Sequence, residues 1–201
     1  MELSMKSLLL SAVVLLVLFS CEQPTVSFNH EPLLPEAEGR TWTYIRSSWN
    51  SADTVNYTIY KAEMINGEQW YSFDLGMHPA SMFTNRDNGM WVRPRYDTSS
   101  DLLLIKYGAW TGDMYGAENI VLHSIEGEPI YCIHSVRVDA VNNMVTVPAG
   151  TFSSTVYTET LRGRDSRALY DQVTYWTVPG VGFVRIKNQY ELYELMGTGS
   201  R

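Results

Sequence analysis

The chain has 201 residues and is acidic, with 22 Asp and Glu against 15 Lys and Arg and a net charge of -7 at neutral pH. This balance argues against nucleic acid as a partner, because phosphates require a basic stripe, and against electrostatic docking on anionic lipid. Beyond residue 20, no segment stays apolar for the roughly 20 residues that a membrane-spanning helix needs. The length is sufficient for one domain with a substantial core.

The N-terminal segment is organised like an export signal. A polar start with Lys6 precedes an apolar run over 8–19, which at about a dozen residues is too short to cross a hydrocarbon core. We predict that residues 1–20 are a cleaved signal peptide. Residues 18–21, Leu-Phe-Ser-Cys, resemble the bacterial lipobox, in which the cysteine is joined to diacylglycerol, and this predicts an acyl anchor on Cys21. The alternative is an ordinary cleaved signal with a chance cysteine.

Residues 21–39 follow the signal and contain three of the eight prolines, with few apolar repeats. That composition predicts an extended, lipidated tether that spaces a β-rich domain, residues 40–201, from the membrane. If Cys21 is acylated, Cys132 has no partner for an internal disulfide. Packing alone must then hold the fold together.

From residue 40 onward the sequence predicts a succession of β-strands. Residues 41–49 alternate in polarity, and 54–64 are rich in β-branched and aromatic side chains, as pleated sheets favour. Asn66-Gly67 and Asn88-Gly89 predict two hairpins. Residues 101–107 hold an apolar run typical of a strand buried on both faces. Residues 108–119, with three glycines, read as a long loop.

The remaining strands are separated by well-marked turns. A Glu126-Gly127 turn predicts a hairpin between residues 120 and 138, and a second turn is expected at Asn142-Asn143. Pro148 at the second position of VPAG fits a type I turn, and Gly180 at the third position of VPGV supplies the positive φ of a type II turn. Residues 182–195 alternate, as a half-buried antiparallel strand does.

About ten strands with hairpin spacing and little helix predict the fold class. We expect an all-β, single domain, built from hairpins as a strongly curved antiparallel sheet or an open barrel. No segment repeats at a fixed period, which argues against a propeller or a solenoid.

The C-terminal quarter carries a resemblance. The segment VTVPAGTF, followed about 25 residues later by YWTVPGVGFVRIK, resembles uncharacterised exported bacterial lipoproteins that share a VPAGxF and PGVGxV pattern. The resemblance implies a curved antiparallel sheet with these turns at strand ends, and a location in the cell envelope on the periplasmic or cell-surface side. It also allows the leader to pack as a first strand. It implies no reaction, because the matching residues form turns and core.

Catalytic and metal-binding motifs are weak. The sequence contains no GxSxG, SxxK or HExxH motif. Cys132 and His134 share one face of a predicted strand, with His123 on the preceding strand, but a packed cysteine with two incidental histidines explains them more simply. We therefore predict no catalytic residue, no metal, no cofactor and no enzymatic activity.

Aromatic residues are the strongest candidates for binding, because Tyr and Trp suit positions where one end of the ring is wet. A lipid, a glycan or a segment of an envelope protein could stack on them, although aromatic residues are also common in sheet cores. The alternative function is a purely structural or interaction lipoprotein without a small-molecule ligand. The candidate ligand-binding residues are Trp42, Tyr44, Trp70, Trp91 and Trp110.

Overall fold

The computed structural model describes residues 31–73, 80–94, 101–123, 129–165 and 169–200. The predicted signal peptide, Cys21 and the Glu126-Gly127 turn lie outside these ranges. The described residues form twelve strands and contain no helix. The strands are β1 (Arg40–Ser48), β2 (Ala52–Ile65), β3 (Glu68–Phe73), β4 (Ala80–Arg86), β5 (Gly89–Pro94), β6 (Leu102–Lys106), β7 (Met114–His123), β8 (Pro129–Val147), β9 (Gly150–Gly163), β10 (Leu169–Val178), β11 (Gly182–Lys187) and β12 (Glu191–Ser200).

All twelve strands belong to one antiparallel sheet that is nearly closed into a barrel, which confirms the predicted fold class. The order β6-β5-β4-β3-β2-β1-β12-β11-β10-β9-β8-β7 is two meanders joined where the first strand meets the last. At that junction Arg40 of β1 lies opposite Ser200 of β12. The two meanders are the first half, β1–β6, and the second half, β7–β12. The sheet therefore ends at β6 and β7, which are consecutive in sequence.

Side chains bridge the seam between β6 and β7. The Tyr115 hydroxyl on β7 donates to the Leu104 carbonyl on β6 (2.9 Å) and accepts from the Lys106 amide (3.1 Å). From β9, the Tyr157 hydroxyl donates to the Lys106 carbonyl (2.7 Å). These phenols form hydrogen bonds with backbone groups at the sheet edge that a neighbouring strand would otherwise satisfy. Because an unpaired buried backbone group is costly in free energy, these bonds stabilise the seam.

Two predicted turns have the expected geometry. Asn66 and Gly67 have φ of 52° and 83°, as a type I′ hairpin between β2 and β3 requires. Gly180 has φ of 72°, and the Val181 amide donates to the Val178 carbonyl (3.1 Å), as in a type II turn.

The hairpin between β4 and β5 is one residue out of the predicted place. Gly89 pairs with Arg86, so the two connecting residues are Asp87 and Asn88. Because Gly89 opens the next strand with a φ of 153°, it is part of the ladder and not a central turn residue.

Two local predictions in β7 and β8 are wrong. Asn142-Asn143 is not a turn, because β8 runs unbroken across it and Asn142, with φ of 54°, lies where the pairing with β9 shifts. The Ser154 hydroxyl of β9 donates to the Asn143 carbonyl there (2.9 Å). The expected loop over 108–119 ends early, since β7 begins at Met114. Asn tolerates positive φ in a bulge as well as in a turn, so residue type alone could not separate the two.

The leader, residues 31–39, packs on the domain. Leu33 and Leu34 have exposed fractions of 1% and 0% and belong to the main core. The Gly180 amide donates to the Pro32 carbonyl (2.9 Å), which fixes the leader on the β10–β11 turn. This part of the predicted tether is therefore a packed segment, although it forms no strand. We call this end of the sheet the leader end.

Candidate binding cleft at the leader end

A cleft of about 370 Å³ opens at the leader end, beside the seam between β6 and β7. Its walls come from the leader, the end of β6 with the β6–β7 connection, the irregular part of β8, the middle of β9, and the end of β10 with the turn that follows it. This volume is at the lower end of the range for small-molecule sites, about 300–1,000 Å³. The lining residues are Glu31, Leu33, Ile105, Tyr107, Gly108, Ala109, Trp110, Val141, Asn142, Thr155, Tyr157, Thr177 and Pro179.

The β6–β7 connection forms the rim of the cleft and is tied down by its own polar groups. The Asp113 carboxylate accepts from the Trp110 amide (3.2 Å) and from Lys106 Nζ (2.9 Å). The Gly112 amide donates to the Val138 carbonyl of β8 (2.8 Å), and the Val138 amide donates to the Asp113 carbonyl (2.9 Å). Trp110 is thus held at the rim with 75% of its side chain exposed.

A relay of hydrogen bonds joins the leader to the β6–β7 connection and to β4. The Leu33 amide donates to the Tyr107 hydroxyl (2.9 Å), which donates to Asn85 Oδ1 of β4 (2.7 Å). Asn85 Nδ2 in turn donates to the Leu34 carbonyl (3.1 Å) and to Glu36 Oε1 (2.9 Å). One asparagine and one tyrosine therefore hold the leader in place.

Burial and hydrogen bonds set the charge state of three groups in or beside the cleft, Tyr157, Tyr107 and Asp113, near neutral pH. Burial raises the pKa of Tyr157 and of Tyr107 above the ordinary phenol value, so both remain neutral. The hydrogen bonds from Lys106 and from the Trp110 amide lower the pKa of Asp113, which keeps it ionised. The cleft thus combines apolar walls with neutral hydroxyl and amide groups and with the carboxyl group of Glu31, as suits a ligand with both apolar and polar parts.

Trp42 and Tyr44, two of the predicted ligand-binding residues, are fully buried core residues with exposed fractions of 0%. Trp42 Nε1 donates to the Val181 carbonyl (2.6 Å), and the Tyr44 hydroxyl donates to the Phe183 carbonyl (2.7 Å). Both side chains tie β1 to the β10–β11 turn and to β11. Neither ring belongs to an exposed aromatic face.

Trp70 and Trp91 are covered by arginine side chains. The Arg93 guanidinium lies 4.4 Å from the centre of the Trp70 ring, and the Arg86 guanidinium lies 4.6 Å from that of Trp91. Both arginines also pair with Asp101, at 2.8 Å each. Trp70 has an exposed fraction of 0%, while Trp91 is half-buried. Cation–π contacts thus occupy these rings.

Trp110 is the one predicted aromatic residue that lines the cleft. The other residues that shape the cleft, Leu33, Tyr107 and Tyr157, were missed by sequence reasoning. A signal for the leader did exist, because Leu33 and Leu34 form an apolar pair between Pro32 and Pro35 in an otherwise polar segment.

A buried network of titratable side chains lies inside the second half of the sheet. His134 Nε2 is 2.7 Å from Glu159 Oε1, and the Tyr175 hydroxyl donates to Glu159 Oε2 (2.8 Å). Their exposed fractions are 2%, 7% and 0%. Burial and the adjacent Glu159 raise the pKa of Tyr175 well above its ordinary value. No residue of the network lines the cleft, so a substrate would have to open the sheet to reach it.

Metal-binding clusters and membrane-spanning helices are absent from the described ranges. There, no group of three or more His, Cys, Asp or Glu side chains could hold a metal ion. Cys132 and His134 are both buried on one strand face, and burial raises the pKa of the Cys132 thiol. The same ranges contain no helix long and apolar enough to cross a membrane.

The comparisons with known proteins show a similar fold and nothing further. No protein-family model matches the chain, and no curated protein matches it. A solved structure of a candidate lipoprotein from Parabacteroides distasonis is similar to this chain at 12% identity with a TM-score of 0.51, covering 85% of this chain and all of its own. A candidate exported protein with a YmcC-like fold from Bacteroides fragilis gives 12% identity, the same coverage and a TM-score of 0.42.

Proposed function

We propose that this chain is a lipid-anchored, non-catalytic protein of the bacterial cell envelope whose cleft at the leader end binds a small amphipathic ligand. The observation that carries the proposal is the cleft itself, with an exposed tryptophan on its rim and neutral hydroxyl groups within it. Envelope attachment is supported by the lipobox-like residues around Cys21. The fold shared with a candidate lipoprotein agrees with it.

The position of the leader supports a ligand taken from the membrane surface. Cys21 precedes Glu31 by ten residues, and an extended chain of that length spans at most about 35 Å. An acyl anchor on Cys21 would therefore keep the cleft close to the bilayer. Leu33, Ile105, Val141 and Trp110 would contact the apolar part of a lipid-derived ligand, while the rim leaves its polar part in water.

The anchor is tested by replacing the acylated thiol. Cys21→Ser is expected to abolish incorporation of labelled palmitate and to release the protein into the soluble fraction, because no second anchor is proposed. Cys132→Ser is the matched control, since that thiol is buried in the core, and it should retain the label. Labelling of Cys21→Ser equal to that of the parent chain would contradict lipidation.

The cleft is tested by titration with a lysophospholipid, followed by tryptophan fluorescence. We expect a saturable change that disappears in Trp110→Phe and persists in Trp49→Phe, because Trp49 is 96% exposed at the other end of β1. Ala109→Trp should block the cleft, whereas Ala52→Trp, on an exposed strand end, should not.

The same titration separates the proposed function from its alternatives. If glycans or peptides produce the saturable change and the lysophospholipid does not, the cleft binds another class of ligand. If none of these ligands binds and the thermal midpoint of Trp110→Phe equals that of the parent chain, the purely structural lipoprotein is favoured.

A further inference from the structure

A second concave site lies on the outer face of the second half, far from the leader. It is a trough of about 300 Å³ between β10 and β11, lined by Gln172, Thr174, Lys187, Asn188 and Gln189. The neighbouring positions on the same strands, Val173, Tyr175 and Ile186, point into the core. The lining side chains of the strands therefore face outward.

The trough and the leader lie at opposite ends of the same two strands. The leader contacts the β10–β11 turn through Pro32 and Gly180. Gln172 is near the start of β10 and Lys187 is the last residue of β11. Six residues separate Gln172 from the end of β10, which is about 20 Å of extended strand. The trough is thus independent of the cleft.

Two exposed aromatic side chains lie at the same end of the sheet as the trough. Tyr190 follows the lining residue Gln189 and is 73% exposed, in the turn between β11 and β12. Trp49 is 96% exposed in the neighbouring β1–β2 turn, because Ser48 pairs with Glu191 across the two strands. Two turns that are adjacent in the sheet therefore each present a large ring to solvent at this end.

The polar lining has a composition that suits neutral hydroxyl groups. It consists of three amide side chains, one hydroxyl and one ammonium, without a carboxylate. The side-chain oxygen of Asn188, Oδ1, is already used, because it accepts from the backbone amides of Tyr190 and Glu191 (2.8 and 2.7 Å) and shapes the turn. In the described part of the chain, the side chains of Gln172 and Gln189 make no hydrogen bond within the protein. Each offers a donor and an acceptor to a ligand.

We propose that this trough is a binding site for a neutral oligosaccharide. The ring of Tyr190 stacks on the C–H face of one sugar, since an aromatic ring presents an apolar surface with a wet edge. Gln172 and Gln189 exchange hydrogen bonds with sugar hydroxyls, which, like amides, both donate and accept. Trp49 contacts a further sugar of the same chain. If Cys21 holds the leader end at a membrane, this site points away from it and meets glycans in the surrounding space.

The site is tested by calorimetric titration with maltohexaose, cellohexaose and chitohexaose against the full mature chain. At least one of these probes is expected to bind at up to millimolar concentrations. Tyr190→Ala and Gln172→Ala should each weaken that binding about tenfold. Tyr60→Ala is the matched control, because Tyr60 is 63% exposed on β2 and away from the trough.

Each result decides the proposal. Thermal midpoints close to that of the parent chain are expected for Tyr190→Ala and Gln172→Ala, since both side chains are exposed. The proposal is overturned if none of the three probes binds, or if binding survives Tyr190→Ala and Gln172→Ala unchanged. It is also overturned if Ala109→Trp, which fills the cleft at the other end, abolishes oligosaccharide binding. Loss of lysophospholipid binding alone concerns the cleft and leaves this site intact.

Discussion

The two halves of the sheet are packed with different chemistry. In the first half, aromatic rings contact each other in series, with centroid distances of 5.5 Å for Trp42–Phe73, 5.9 Å for Phe73–Phe83 and 5.5 Å for Tyr71–Phe83. The second half contains the hydrogen-bonded network of His134, Glu159 and Tyr175, with the Tyr175 ring 5.2 Å from that of Phe183 and many aliphatic residues in the same core. The buried aliphatic residues there include Val136, Val138, Val173, Val184 and Ile186.

One continuous core therefore depends on two kinds of stabilisation. Ring packing in the first half depends on buried volume and area, which change little with pH. The network in the second half depends on every polar partner being present in its proper protonation state, because an unpaired buried polar group is costly. The two halves should therefore respond differently to pH and to substitution.

Alkaline pH should have the largest effect and should act mainly on the second half. Burial raises the pKa of Tyr115, Tyr157 and Tyr175 above the unfolded value of about 10. Their neutral forms therefore favour folding below pH ~10, and this stability is lost as the pH rises further, by about 1.4 kcal/mol per pH unit for each tyrosine. Tyrosinate absorbance should thus rise cooperatively with loss of the fold.

Hydrogen exchange at alkaline pH would show which half opens first. We expect amides of β8–β10 to lose protection before those of β2–β4, although Tyr44 in the first half also has a raised pKa. Gradual ionisation near pH 10 with the sheet intact would contradict the expected coupling.

Trp42→Ala should be the most destabilising single substitution in the aromatic half. It removes a fully buried ring and the hydrogen bond to the Val181 carbonyl, and a Trp-to-Ala change in a core costs about 3–5 kcal/mol. Chemical denaturation measures the change in free energy of unfolding. Trp49→Ala, at a 96% exposed position, should stay within about 0.5 kcal/mol of the parent chain. Equal effects of the two substitutions would refute the assigned burial.

Tyr175→Phe should cost less and should report on the polar network. It keeps the ring but removes the hydroxyl that donates to Glu159 Oε2, and the loss of a buried partner costs about 1–3 kcal/mol. Because one raised tyrosine pKa is also removed, the free energy of unfolding should fall less steeply above pH 10. Tyr60→Phe is the exposed control. An unchanged alkaline slope in Tyr175→Phe would argue against a contribution of this phenol to the pH dependence.

The sequence predicted some turns correctly, misplaced others such as Asn142-Asn143, and did not predict the long-range contacts. Turn positions such as Asn66-Gly67 and Pro179-Gly180 depend on the φ preferences of two residues, so they can be read from neighbours in the chain. The burial of Trp70 beneath arginine side chains could not be predicted this way, because Arg86 and Arg93 reach its ring from other strands. Strand periodicity shows which residues share a face but not what covers that face.

The candidate cleft, too, could not be predicted from local sequence alone. Trp110 was among the candidate ligand-binding residues predicted from the sequence, and it lines the cleft as an exposed residue. The wall formed by Leu33 and Tyr107 joins residues 74 positions apart; the apolar pair Leu33-Leu34 indicates burial but does not identify Tyr107 as the partner. The cleft could be located only once the order of the strands was known.

The pairing of β1 with β12 has a consequence for the folding pathway. Hairpins such as β2–β3 and β10–β11 form from residues a few positions apart, whereas Arg40 and Ser200 must meet across nearly the whole described chain. Such non-local contacts require a large loss of chain entropy to close the loop before any contact energy compensates for it. They therefore slow folding. We expect the two meanders to form first as curved ribbons and the ring to close last. The register shift at Thr43 and Tyr44 is then set in that final step.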